Sequence, residues 1–136
     1  MVEVVRAESQ PLVKAWLRDF AAAVRERDYA RARTMFHPDA EGFGTVAERW
    51  TGLDQLHAEQ WHGVWERTTG FAFDLDSATV FDDDGLVVAI SEWSSEGLRS
   101  DGTVGRRDGR ATIVLVRDDA LRAVHTHFSM VPGTPS

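Results

Sequence analysis

The sequence predicts an α+β fold, with three N-terminal helices packed on one face of a curved antiparallel sheet. Three observations predict it. Apolar residues recur at three- and four-residue spacing through the first half of the chain, the period of helices with one buried face. After Gly70 the period drops to two, the period of half-buried strands. Turn signals, Asp82-Asp83-Asp84-Gly85 and Asp118-Asp119, then divide the second half into a meander. Helices first and strands after them is the order of an α+β domain. Such a sheet leaves a cavity between its concave face and the helices. Its convex face needs cover as well, usually a second subunit.

The first helix is predicted over about 10–27, where Val13, Trp16, Leu17, Phe20 and Val24 form one apolar stripe. Asp28 caps a short second helix, about 29–36. His37-Pro38-Asp39 ends it, because Pro38 cannot continue the hydrogen-bond ladder. A short strand near 41–45 and a loop holding Trp50 to Gly52 follow. The third helix runs from near Asp54 to Gly70, with Gly70 as its C-terminal cap and His57, Trp61, Val64, Trp65 and Thr68 on one face. Phe71, Phe73 and Leu75 alternate with Ala72, Asp74 and Asp76 as a half-buried strand. Leu86 to Trp93 is apolar on both faces, which suggests a central strand. A polar hairpin loop holds Arg99 to Gly105, another strand covers 110–116, and the last strand covers 121–130. Side chains alternate along a strand, so His125 and His127 point the same way.

With 136 residues the chain is one domain, 1–136, ending in a frayed tail over 132–136. Apolar residues make up 43%, and five Trp and seven Phe supply aromatic area for a core or a pocket. The net charge of -7 argues against nucleic acid or an anionic membrane as partner. Arg106, Arg107 and Arg110 form a local basic cluster too small to change that. There is no cysteine, which excludes disulfides, thiolate catalysis and Cys-based zinc sites. No apolar run approaches the roughly 18 residues of a membrane span. Met1 to Glu8 has no apolar core of signal-peptide type, so a cytoplasmic location is expected.

Several segments together resemble the nuclear transport factor 2-like superfamily, in its SnoaL-like branch. They are Arg27-Asp28-Tyr29 through Phe36-His37-Pro38-Asp39-Ala40, Gly52-Leu53-Asp54, Gly109-Arg110-Ala111-Thr112, and the ending His125-Thr126-His127-Phe128-Ser129. The resemblance covers nearly the whole chain. It implies a cone-shaped curved sheet wrapped around the three helices, with an internal cavity, on a scaffold that hosts enzymes, binders and assembly modules alike.

Two subgroups allow comparison by residue. Ketosteroid isomerase uses an Asp base with a Tyr and a protonated Asp as oxyanion hole. Alignment on the Arg27-Asp28 and Met35-Phe36 landmarks puts those positions near Gly44, Phe20 and Ile113, none of which can do that chemistry. The association domain of calcium/calmodulin-dependent protein kinase II is similar at Leu56-His57 and Trp65 and in the closing His-x-His-x-Ser. Its cavity arginines fall near Glu92, Ile113 and Phe128, so the resemblance implies a cavity without those anion-binding groups. It also implies a free-standing relative, dimeric or larger.

The candidate ligand-binding residues are His57, Trp61, Trp65, Glu92, Arg110, His127 and Phe128. His57, Trp61 and Trp65 read equally as core packing or as a cavity wall, and Trp50 could close the same opening. Glu92 lies between apolar neighbours. It is either a cross-strand ion pair with an Arg such as Arg110, or a cavity carboxylate able to act as general acid or base. Aligned as above, Ile113, Thr126 and Phe128 face the cavity and the His pair faces away, and a single bulge would reverse that. His-x-His is a short and common pattern, so no metal is expected. No cofactor is expected either.

The expected function is binding of a small, partly apolar molecule in the cone cavity by a homodimer joined through the outer sheet face. One alternative is an isomerase, cyclase or hydrolase using Glu92 or a His as acid–base group. Another is a ligand-free association module.

Overall fold

The structure is a computed structural model and describes residues 3–4, 10–45 and 48–134. Helix α1, Gln10–Glu26, buries Val13, Trp16, Leu17, Phe20 and Val24, the stripe that its spacing predicts. Arg27 turns the chain with φ 53°, and the Asp28 side chain accepts from the Arg31 backbone N–H at 3.2 Å to cap α2, Tyr29–Thr34. Strand β1, Glu3–Val4, precedes the helices. Strand β2 begins sooner than expected, as Phe36–Phe43. Phe36 already pairs with Ala123, and Pro38 falls in the stretch where the register shifts. There its missing N–H leaves no gap in a regular ladder.

The third helix is not uniform. Leu53–Gln55 is α-helical, Leu56–Trp61 is π-helical, and His62–Trp65 is α-helical again. It ends short of Gly70, which lies instead in strand β4, Thr68–Phe73. Gly70 has φ 64° where the β4 register shifts, so it serves a bulge rather than a cap. Leu75–Ser77 forms a 3₁₀ turn in place of further strand.

Strand β3, Trp50–Thr51, pairs with β2. Strand β5, Thr79–Asp83, has no counterpart in the periodicity. It takes in Asp82 and Asp83, so the turn narrows to Asp84-Gly85, both at positive φ as a two-residue hairpin requires. The long strands β6, Leu86–Leu98, β7, Val104–Arg117, and β8, Leu121–Met130, follow. The sheet runs β1-β5-β6-β7-β8-β2-β3, and β4 pairs with the far half of β6 beyond β5. All pairs are antiparallel except β2 with β8. Those two strands are joined through most of the chain rather than by a hairpin, so nothing forces them to be antiparallel.

Burial alternates along β6. Val87, Ala89, Ser91, Trp93 and Ser95 face inward, and Leu86, Ile90, Glu92, Glu96 and Leu98 face outward. Inward residues Ala111, Ile113 and Leu115 of β7 meet the buried stripe of α1 to make the core. Asp82 also faces inward, 3% exposed, held by Arg117 at 3.3 Å. Of the frayed tail, residues 132–134 follow β8 as a turn, and 135–136 lie outside the described residues.

Candidate functional site

A cavity of about 60 Å³ lies between the third helix, β4 and the concave face of β6 to β8. Its walls are mostly rings: Phe20, Trp61, Trp65, Phe71, Trp93 and Phe128. Trp61 and Trp65 stack at 4.8 Å, and Phe128 meets Phe71, Phe73 and Trp93 at 6.2–6.4 Å. These rings also explain why the space is small, since they fill much of the cone. A second, open depression of about 540 Å³ lies between α1, α2 and the β7–β8 turn. Its charges are matched: Asp19 with Arg31, Arg117 with Asp82, and Asp118 and Asp119 with Arg122.

The aromatic cavity holds two weakly partnered polar side chains, Gln60 and Arg107. Gln60 is 7% exposed, lines the cavity, and its amide has no hydrogen-bond partner among the described residues. It projects from the π-helical segment toward β2. There a side chain at Gly44 would come within 2.7 Å of its Nε2, and one at Gly42 within 3.2 Å of its Oε1. The two glycines therefore make the room in which the amide sits. Gly44, the position aligned with the isomerase base, is also closed off by the Trp50 ring. Phe20 and Ile113 are buried and apolar, as expected for the other two positions.

Arg107 is the one charged side chain that lines the cavity among the described residues. It stands opposite Ser95 in the β6–β7 ladder, and its stem passes over Gly97, where an added Cβ would come within 2.5 Å of Cδ. Its guanidinium donates only to the Met130 thioether, at 3.5 Å, and no carboxylate pairs with it among the described residues. Burial first, then the Arg67 charge, hold its pKa below the ordinary value. Neither Gln60 nor Arg107 is among the residues the sequence singles out for a site. Signals for both are nonetheless present. Gln60 sits four residues from both Leu56 and Val64 on an apolar helix face, and Arg107 shares the face of Ala111, Ile113 and Leu115.

Of the predicted site residues, Trp61, Trp65 and Phe128 line this cavity. The other four are placed elsewhere. Glu92 faces outward on β6, directly opposite Arg110 in the register. The expected ion pair between them does not form, and Arg110 Nε donates to Ser129 Oγ at 3.2 Å on the same outer face. Glu92 looked buried because the outer face around it is itself apolar, with Ile90 and Leu86 next along it. His127 is exposed on the outer face beside His125, and both meet the Phe43 ring edge-on. The bulge that could have reversed this lies between Val114 and Leu115, below the pair, and Thr126 remains inward at 1% exposure. His125 Nδ1 lies 3.0 Å from the Glu41 carbonyl, so that nitrogen carries the proton and donates.

His57 leaves the cavity because of the π-helix. In such a turn the residue five places on comes round beneath, and His57 stacks on His62 at 5.2 Å. Tyr29 packs against both imidazoles and against Trp65. Arg33 Nη1 lies 3.2 Å from His57 Nδ1. A guanidinium can only donate, so Nδ1 accepts and the ring is neutral. Burial, then the charges of Arg33 and His62, hold the His57 pKa below its usual value. The Tyr29 hydroxyl donates to Glu66 at 2.5 Å. Burial first, then that bond and the Glu66 charge, push its pKa up to about 12. Trp50 is buried against Gly44 and does not line the cavity. Among the described residues no group of three His, Asp or Glu side chains is placed to hold a metal ion, and no helix is long and apolar enough to cross a membrane.

A family profile for the SnoaL-like domain matches residues 13–133. Comparison with curated proteins returned no significant match. Among solved structures, a nuclear transport factor 2-like superfamily protein from Salmonella enterica serovar Typhimurium is 16% identical, with 96% of this chain and 93% of that one covered at TM-score 0.77. A proposed calcium/calmodulin-dependent protein kinase II association domain from Xanthomonas campestris is 19% identical, covering 93% and 88% at TM-score 0.72. A proposed aromatic ring hydroxylase from Novosphingobium aromaticivorans is 17% identical, covering 93% and 92% at TM-score 0.78. At these identities the likeness speaks for the fold alone.

Proposed function

The chain belongs to the SnoaL-like domain family of nuclear transport factor 2-like folds, and from that premise we propose that it binds a small, partly apolar molecule in the cone cavity as a homodimer. One observation carries the binding half. The Gln60 amide lies at the wall of an aromatic cavity and makes no hydrogen bond to another described residue. Such an amide can both donate to and accept from a bound molecule that carries one polar atom. Ring walls with a few convergent polar groups are the usual make-up of a small-molecule site.

The catalytic alternative has less support. It needs an acid–base group beside the substrate, and no carboxylate or imidazole lines the cavity among the described residues. Glu92 and the histidines lie outside the cavity. The names of structural neighbours, one proposed as a hydroxylase and one from Streptomyces avermitilis as a dehydratase, belong to chains 17% and 13% identical. They do not transfer a reaction to these residues.

Support for the dimer comes from the outer sheet face. Leu86, Ile90, Leu98 and Val104 are 42–65% exposed there, on two adjacent strands. A second copy would cover them.

The binding half is tested by indole NMR on a screen of small ring and short-chain compounds. Trp61, Trp65 and Trp93 line the cavity, whereas Trp16 and Trp50 do not. A compound bound inside shifts the first three signals and spares the other two. If no compound gives that pattern, the reading fails. The dimer is tested by sedimentation: wild type should run at twice the chain mass and Ile90→Asp at the chain mass. A monomeric wild type ends that half of the proposal.

A further inference from the structure

We infer that the molecule held in the cavity is a small carboxylic acid, its carboxylate seated on Arg107 and its apolar part against the rings. This rests on the reading of the cavity as a binding site and adds the chemical class of what it binds. Arg107 reaches the cavity from β7 opposite Ser95, its stem crossing Gly97, where any larger residue would displace it. The guanidinium lies over the same glycine, with Nη1 3.2 Å from where a Cβ at Gly97 would stand.

A guanidinium drawn into apolar surroundings is normally matched by a carboxylate from the protein. Here it has none among the described residues. Its partner is a thioether, a weak acceptor, and the charge that acts on it is that of a second cation, Arg67. The cavity therefore carries positive charge without an internal counter-ion, although the chain as a whole is at -7. An anion is what such a site lacks, and a planar carboxylate matches the planar two-pronged donor edge of Arg. With space of about 60 Å³ between ring faces, a flat monoanion is a better fit than a bulkier tetrahedral dianion, which would call for more than one lining cation. The same volume limits the apolar part to a few carbons, or to one flat ring that displaces a wall. The Gln60 amide can take a further polar atom if the molecule has one.

The probes are butyrate and benzoate, each compared with its own amide, titrated into the wild-type protein and read by the five indole signals. The amide keeps the shape and removes the charge, so no variant has to fold for the comparison to decide. The expected result is that at least one acid shifts Trp61, Trp65 and Trp93 with an affinity about tenfold or more above its amide. In Arg107→Gln that preference should vanish while binding of the amide persists. If acid and amide bind wild type within twofold of each other, the cavity is a site but the anion inference is overturned. If none of the four compounds moves the three cavity indoles at tens of millimolar, both the inference and the binding reading it rests on fall.

Discussion

The Trp93 indole lies across the backbone of Gly109, its direct partner in the β6–β7 ladder, and fills the space a side chain at 109 would need. An added Cβ would come within 2.2 Å of the indole and equally close to the Ser129 carbonyl oxygen. The indole N–H donates to the Arg110 carbonyl at 3.2 Å, which pins the ring to β7. Because Trp93 is a cavity wall, Gly109 sets where that wall stands. Gly109→Ala should therefore cost about 1–3 kcal/mol, as overpacking of a fitted core does. Its melting temperature should fall by several degrees. A variant that melts within one degree of wild type would show that the ring is not held there.

Trp65 is stacked between Trp61, at 4.8 Å, and Tyr29, at 5.1 Å, with Phe20 edge-on at 5.8 Å. Trp65→Ala should lose roughly 3–5 kcal/mol in urea denaturation, through lost burial and the hole left behind. Glu92→Ala provides the contrast. Its side chain stands on the outer face, so the change should stay within about 0.5 kcal/mol. Comparable losses for the two would mean that Glu92 makes contacts its exposure does not suggest.

What the residues disclose in advance depends on whether burial and period agree. Helix α1 and strand β8 are legible because each has one face buried and one exposed. Strand β5 is not, because an Asp occupies one of its inward positions, where the distant Arg117 pairs with it. The π-helical turn escapes any reading at 3.6 residues per turn, so His57 is assigned to the wrong side of its helix. Glu92 misleads for the opposite reason: an apolar outer face makes an exposed position look interior. The cavity's weakly partnered groups, Gln60 and Arg107, have suitable spacing but ordinary identities. What distinguishes them is the partners they lack, which only the folded chain reveals.

Tyr29 is the only tyrosine in the chain, so absorbance at alkaline pH reads it alone. Its titration should centre near 12, above the ordinary value of 10.0. Glu66→Gln should bring it back toward that value by removing the carboxylate. The folded state holds this proton more tightly than the unfolded chain does. The associated stability is therefore fully present below the ordinary tyrosine pKa and is lost as pH rises from there through about 12. A midpoint at the ordinary value in wild type would show that the bond to Glu66 does not persist in solution.

His57 titrates in the opposite sense and at the other end of the pH scale. Its neutral ring accepts the Arg33 bond at Nδ1 and stacks on His62, and a proton at Nδ1 would end the first and set like charge against both neighbours. The folded state therefore resists protonation, and the pKa lies below the usual 6.5. Stability linked to this group is present above that value and is lost as pH falls below it toward the folded pKa. Followed by NMR, the His57 ring signals should titrate below the usual 6.5. Arg33→Gln should raise the His57 midpoint, since it removes the cation while leaving a side chain able to donate. If that variant leaves the midpoint where it was, Arg33 does not set the protonation state of the ring.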